Sequence, residues 1–127
     1  SPPVAAAALA ALRLLQEDTS MVTELHSNIE CFISEAHRRN FNTCLAGGTA
    51  IIPILVGEDS DAYKLSNLML KEGVYVPAVV YPAVPKHSAR LRFCVTSKHT
   101  HEQIATAMEV LNKVADKYEI SLPVMGK

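Results

Sequence analysis

The stretch YPAVPKHSARLRF, residues 81–93, decides how the rest of the chain is read. Pro82 and Pro85 bracket its start, and Lys86-His87-Ser88 is a short polar turn. From Ala89 the pattern becomes strict alternation, with Ala89, Leu91, Phe93 and Val95 set against Arg90, Arg92, Cys94 and Thr96. Alternate side chains of a strand point to opposite faces, so the first set predicts a core face. The second set places two guanidinium groups on the opposite face. On an open surface two arginines are ordinary. Bordering a cleft, they are natural partners for a carboxylate, because the guanidinium fork matches two oxygens at once.

Upstream of this strand, Val74–Val80 reads as a second strand and Gly73 as the left-handed cap of a preceding helix. That helix starts at Glu58-Asp59-Ser60 and runs through Lys71, with Ala62, Leu65, Leu68 and Met69 inward. Ala50–Val56 (AIIPILV) is a further strand between Gly48 and Gly57. Pro53 has no N–H for a ladder, which predicts an edge strand or a bulge. Before it, Val22, Leu25, Ile29, Phe32, Ile33 and Ala36 form one helical stripe, and His37, Arg38 and Arg39 fill the last turn, where the dipole favours cations. Pro2 and Pro3 open an Ala- and Leu-rich helix over Val4–Gln16. Downstream, Thr100 with Gln103 three places on fits a capping box. Ile104, Ala107, Met108, Leu111, Val114, Ala115 and Tyr118 then make an amphipathic helix.

The order helix, helix, strand, helix, strand, strand, helix predicts an α/β (two-layer α+β) architecture. Its sheet is small, mostly antiparallel and three- to four-stranded, with helices on one face. Residues 1–120 are expected to form one domain, with 1–40 helical and 41–120 supplying sheet and helices, followed by a loose tail over 121–127. The chain has 127 residues, 49% of them hydrophobic and 20% charged, which suits a single globular domain. A net charge of −1 gives no field to attract nucleic acid, and without Trp there is little base-stacking surface. No run is long enough to span a membrane, and the N-terminus lacks the basic region of a signal peptide. Cys31, Cys44 and Cys94 form no CxxC pair and read as reduced core thiols of an intracellular protein. The expected compartment is the cytoplasm, or an organellar matrix if a transit peptide precedes the chain.

No complete active site is legible. There is no GxSxG elbow, HExxH motif or P-loop. His99 and His101 have no third ligand in view and read as capping or exposed residues, not a metal pair. Cys94 reads as a small core or cleft-lining residue, Gly47-Gly48 as a loop, and Glu102 and Glu109 as a solvated helix face.

Four segments occur together in one order: SPPVAAAALAALRLL (1–15), AIIPILVG (50–57), EGVYVPAVVYPAVPKHSARLRF (72–93) and TSKHTHEQIATAMEVL (96–111). In sequence and spacing they resemble the C-terminal portion of the α-oxoamine synthases, from Ser1 to about Tyr118. The resemblance implies the small domain of a fold-type I enzyme that uses pyridoxal phosphate and works as a homodimer. It implies condensation of an amino acid with an acyl-CoA or acyl-carrier-protein thioester, usually with loss of CO₂. It implies that Arg92, the second arginine of an RxR strand, grips the α-carboxylate of the amino acid. Arg90 is left as a structural neighbour. Pro82, Ala83 and Val84, within the turn Tyr81–Pro85, would wall the substrate pocket; where many members have Thr, this chain has Ala83.

The family's Schiff-base lysine, cofactor-stacking His and pyridine-binding Asp lie upstream of the matched region. The lysines here stand in none of its lysine contexts. The expectation is a part of a larger enzyme that needs the rest of the parent polypeptide and is inactive alone. Two alternatives remain: a free-standing amino-acid-binding module using Arg92, and a dimerisation piece without catalysis.

Overall fold

A computed structural model describes residues 19–44 and 46–125. The helix expected over Val4–Gln16 lies outside the described residues. The elements are α1 (Thr19–Arg38), β1 (Ile51–Gly57), α2 (Asp59–Lys71), β2 (Ala78–Val79), β3 (Ala89–Cys94) and α3 (His101–Lys117). The three strands form one antiparallel sheet in the order β1-β3-β2, so the alternating stretch is its central strand.

The alternation sorts the side chains as expected. Ala89, Leu91 and Phe93 of β3 are buried, and so are Ile52, Ile54 and Val56 of β1. They meet Ala62, Leu65 and Met69 of α2, and Ile104, Met108 and Leu111 of α3. Phe32 of α1 joins them, its ring 5.1 Å from that of Phe93. Area removed from water is the main favourable term in such a core. Pro53 sits on an edge strand, and the pairing slips between Leu55 and Gly57, so both parts of the proline and bulge expectation have a place in β1.

The second strand is shorter than its sequence predicts, two residues and not seven. Val74 and Tyr75 are still leaving the α2 cap, and Pro77 cannot donate a ladder bond, so pairing begins at Ala78. Val22 and Tyr118, expected on inward stripes, are exposed near helix ends. Within the tail expected to be loose over 121–127, Leu122 packs against the core.

All three helices end in the same way. The N–H groups of Phe41, Val74 and Ile120 reach back to the carbonyls of Ala36, Met69 and Ala115. Those of Asn40, Gly73 and Glu119 bond the carbonyls of His37, Leu70 and Asp116. This is the Schellman arrangement, and its pivot must take positive φ: 63° at Asn40, 88° at Gly73 and 56° at Glu119. The start of α3 has the full capping box, with Thr100 Oγ1 accepting from Gln103 N–H and Gln103 Oε1 accepting from Thr100 N–H, both at 3.0 Å.

Candidate functional site

Burying one face of the sheet leaves the other to be accounted for. On that outer face Cys94, Arg92 and Arg90 lie opposite Ile51, Pro53 and Leu55 of β1, and Val79 of β2 pairs with Arg90. Ile51 is 45% exposed, and Pro53, Leu55 and Val79 are half-buried. The face is thus largely apolar, with two cations at its centre.

The two arginines are held differently. Arg90 is half-buried and donates from Nε to the Ser88 carbonyl at 3.1 Å, which commits it to the turn before its own strand. Arg92 is exposed. Its backbone N–H bonds the Pro77 carbonyl at 2.9 Å, while its guanidinium has no hydrogen bond or ion pair among the described residues. It is a fixed strand position with free donors.

The turn between β2 and β3 carries the other expected site residues. Pro82 and Ala83 are exposed and Val84 half-buried. The Tyr81–Pro82 peptide is cis, and the N–H groups of Ala83 and Val84 bond the Val80 carbonyl at 3.0 and 3.4 Å. Pro77, whose carbonyl bonds the Arg92 N–H, leads through β2 into this turn, so both lie on one hairpin. Cavities of about 720 and 630 Å³ lie elsewhere, and none of these four residues lines either one. The larger runs between Phe32, Tyr75, Phe93 and Ile104; the smaller lies beside Asn28 and Lys98.

His87, in the same turn, places Nδ1 2.8 Å from Glu58 Oε1. That hydrogen bond, then the charges of Glu58 and Asp59, raise the His87 pKa above its ordinary 6.5. His99 Nδ1 accepts from Thr96 N–H within the loop between β3 and α3, and His101 Nε2 pairs with Ser27 Oγ, joining the start of α3 to α1. No group of metal-binding side chains exists among the described residues. The cysteines are free: Cys31 is half-buried and packs against the core, Cys44 is half-buried, and Cys94, on the outer face of β3, is exposed and lines the larger cavity. Burial, with help from the Glu35 charge, pushes the Cys31 thiol up.

Two features escaped the sequence reading. Asn28 is 4% exposed and donates to the carbonyls of Thr96 and His99 at 2.9 and 2.7 Å. A polar residue three places after Leu25 and four before Phe32, inside an apolar stripe, was the available signal. The Glu58–His87 pair had none, because its members stand 29 residues apart.

The site residues fit a carboxylate. Among the described residues, no lysine is placed for covalent attachment of pyridoxal phosphate there. Lys64, Lys71, Lys86, Lys98, Lys113 and Lys117 are all exposed, and none is on the outer sheet face. Lys64 and Lys117 lie over the Tyr118 ring and Lys86 over that of Tyr81. The helix starts of α2 and α3 already carry Asp59, Asp61 and Glu102, whose charges oppose a phosphate.

The family model described as aminotransferase class I and II matches residues 1–111. A Thermus thermophilus protein, 8-amino-7-oxononanoate synthase/2-amino-3-ketobutyrate coenzyme A ligase, is 37% identical over 119 residues, 94% of this chain and 30% of that protein. The 8-amino-7-oxononanoate synthase of Thermoanaerobacter pseudethanolicus is 34% identical over 120 residues, with the same coverage of 94% and 30%. The solved 8-amino-7-oxononanoate synthase of Francisella tularensis superposes with a TM-score of 0.76 at 24% identity, over 90% of this chain and 33% of that one. Serine palmitoyltransferase from S. paucimobilis, solved with pyridoxal phosphate and myriocin bound, gives 0.77 at 20% identity, over 88% and 28%. The chain spans 30% of the length of these curated relatives. With that match over most of its length, the chain belongs to the aminotransferase class I and II family, and its relatives there are α-oxoamine synthases.

Proposed function

We propose that the chain is the C-terminal, substrate-gripping part of a pyridoxal-phosphate-dependent α-oxoamine synthase. The parent enzyme condenses an amino acid with an acyl-CoA or acyl-carrier-protein thioester and works as a homodimer. Its cofactor supplies an electron sink for charge at the amino acid's α-carbon. The observation that carries this reading is the guanidinium of Arg92, without a partner among the described residues, on a sheet face that it shares with Arg90 and with apolar residues of β1. Arg92 holds the α-carboxylate through paired charged hydrogen bonds, and that grip orients the remaining bonds at the α-carbon. Pro82, Ala83 and Val84 form one wall of the pocket, and the rest of the parent polypeptide supplies the others, including the cofactor's lysine.

In the parent enzyme, Arg92→Ala is expected to lower kcat/KM for the amino acid by about one to two decades. That is the effect of losing a charged hydrogen-bonded pair worth roughly 1.5–3 kcal/mol. Arg92→Lys recovers part of it, since a point charge cannot reproduce the fork. An unchanged kcat/KM would remove Arg92 from the site. Mixed with pyridoxal phosphate, the 127-residue chain alone is expected to give no stable lysine–cofactor absorbance band; a stoichiometric band would overturn the division of labour.

The same free guanidinium favours a second reading, an amino-acid-binding module that acts without catalysis. Titration calorimetry of the chain with amino acids separates the two. Saturable binding abolished by Arg92→Ala supports the module.

A further inference from the structure

Three observations meet at His87. Its backbone lies at φ +63°, a region that an L side chain occupies at a cost, because Cβ crowds the following carbonyl. Its imidazole nevertheless reaches a defined partner, Glu58, at 2.8 Å. Glu58 is the N-cap residue of α2, immediately after the bulge where β1 parts from β3. The backbones run close there: a Cβ on Gly57 would stand 3.9 Å from the His87 carbonyl oxygen.

Val80 packs the start of the turn over residues 80–88 against the core, and the other hydrogen bonds of this turn among the described residues stay within its own hairpin. Ala83, Val84 and Ser88 bond carbonyls within it, Lys86 lies over Tyr81, and Arg90 Nε holds the Ser88 carbonyl. Among the described residues, His87 is the one side chain of this turn that bonds an element outside the hairpin.

We propose that His87 is a positioning residue for the Arg92 site, clipping the substrate-wall turn to the head of α2 through Glu58. The clip fixes the segment that carries Pro82, Ala83 and Val84 and, through Ser88, the side chain of Arg90. Its effect on substrate rests on the carboxylate reading of Arg92; the clip itself does not.

The charged groups around His87 are Glu58 and Asp59 at the head of α2, Lys86 in the turn and Arg90 on β3. The two carboxylates favour the imidazolium. A raised pKa in the folded state means that the ionic clip is complete below the ordinary 6.5. It is lost as pH rises through the higher folded value. Above that value a neutral Nδ1–H can still donate to Glu58, but without the charge.

The test uses Glu58→Gln, which leaves a hydrogen-bond acceptor and removes the charge, in the 127-residue chain and in its full-length parent. His87→Asn, which tolerates positive φ but cannot ionise, guards against misfolding. In the chain, NMR should show His87 titrating above 6.5 and the amides of Ala83, Val84 and Ser88 moving with it. Glu58→Gln should bring that titration down and uncouple the amides. In the parent, KM for the amino acid should rise several-fold as pH passes the His87 pKa, while kcat changes little. Both variants should have a raised KM at low pH and a flatter profile. Amides that ignore the His87 titration, or a KM profile that Glu58→Gln leaves unaltered, overturn the proposal. If the amides follow His87 but Arg92→Ala leaves kcat/KM unchanged, the carboxylate reading falls and the clip stands.

Discussion

Arg90 and Arg92 stand two residues apart on β3, so pleating alone gives them the same face. Their partners separate them. Arg90 serves the turn through Ser88, and the Arg92 side chain has no partner among the described residues. Asn28 is the opposite kind of polar residue, buried and fully committed to two carbonyls of the loop that launches α3. Asn28→Ala is expected to destabilise the chain by about 1–3 kcal/mol, since it takes the donor away from two part-buried carbonyls, those of Thr96 and His99. Chemical denaturation followed by circular dichroism measures this; a loss below a few tenths of a kcal/mol would mean that water replaces the amide.

Helix ends repeat one solution with three different residues. At the pivot, Gly73 adopts positive φ freely and Asn40 tolerates it, whereas Glu119 at φ 56° does not. The arrangement survives at Glu119 because Ile120, next in the chain, is buried at 9% exposure against the core. Glu119→Gly is therefore expected to stabilise the fold by up to about 1 kcal/mol, the relief of left-handed strain being partly offset by the freedom glycine gains on unfolding. An upward shift of the denaturation midpoint checks it, and a downward shift would show that the Glu119 side chain contributes more than its backbone costs.

At the scale of the whole molecule, a sheet covered on one side is stable because α1, α2 and α3 share a single core with it. Charge acts at the rim of that core. Glu35 of α1 receives Arg39 at 2.6 Å and Arg38 at 2.8 Å, and Arg39 also reaches Glu109 of α3 at 3.7 Å. The Arg39 hydrogen bond, then that of Arg38, holds the Glu35 carboxyl below its ordinary 4.5. A depressed folded pKa contributes stability above 4.5, and that contribution disappears as pH falls through the folded value. Wild type should therefore lose more stability than Glu35→Gln between pH 7 and pH 3; parallel losses would show that the cluster is fully screened. The uncovered sheet face belongs to the same scale. It bears Ile51, Pro53 and Leu55 around Arg92.

Period and punctuation, both local properties, were enough for the sequence by itself to determine much of this protein. Alternation from Ala89 to Thr96 set the two faces of the central strand. Gly73 marked one helix end and Thr100 with Gln103 one helix start, and Pro53 fell on an edge strand. Arg92 was legible as a candidate because its neighbours in the pattern are apolar. Only the tertiary structure decided the rest. It cut β2 to two residues, because Pro77 and the α2 cap compete for the same stretch. It buried Asn28 and separated the two arginines, giving Arg90 a turn carbonyl and Arg92 no partner among the described residues. It also joined His87 to Glu58. These are contacts between residues far apart in the chain, set by where whole elements pack, and no local pattern encodes them.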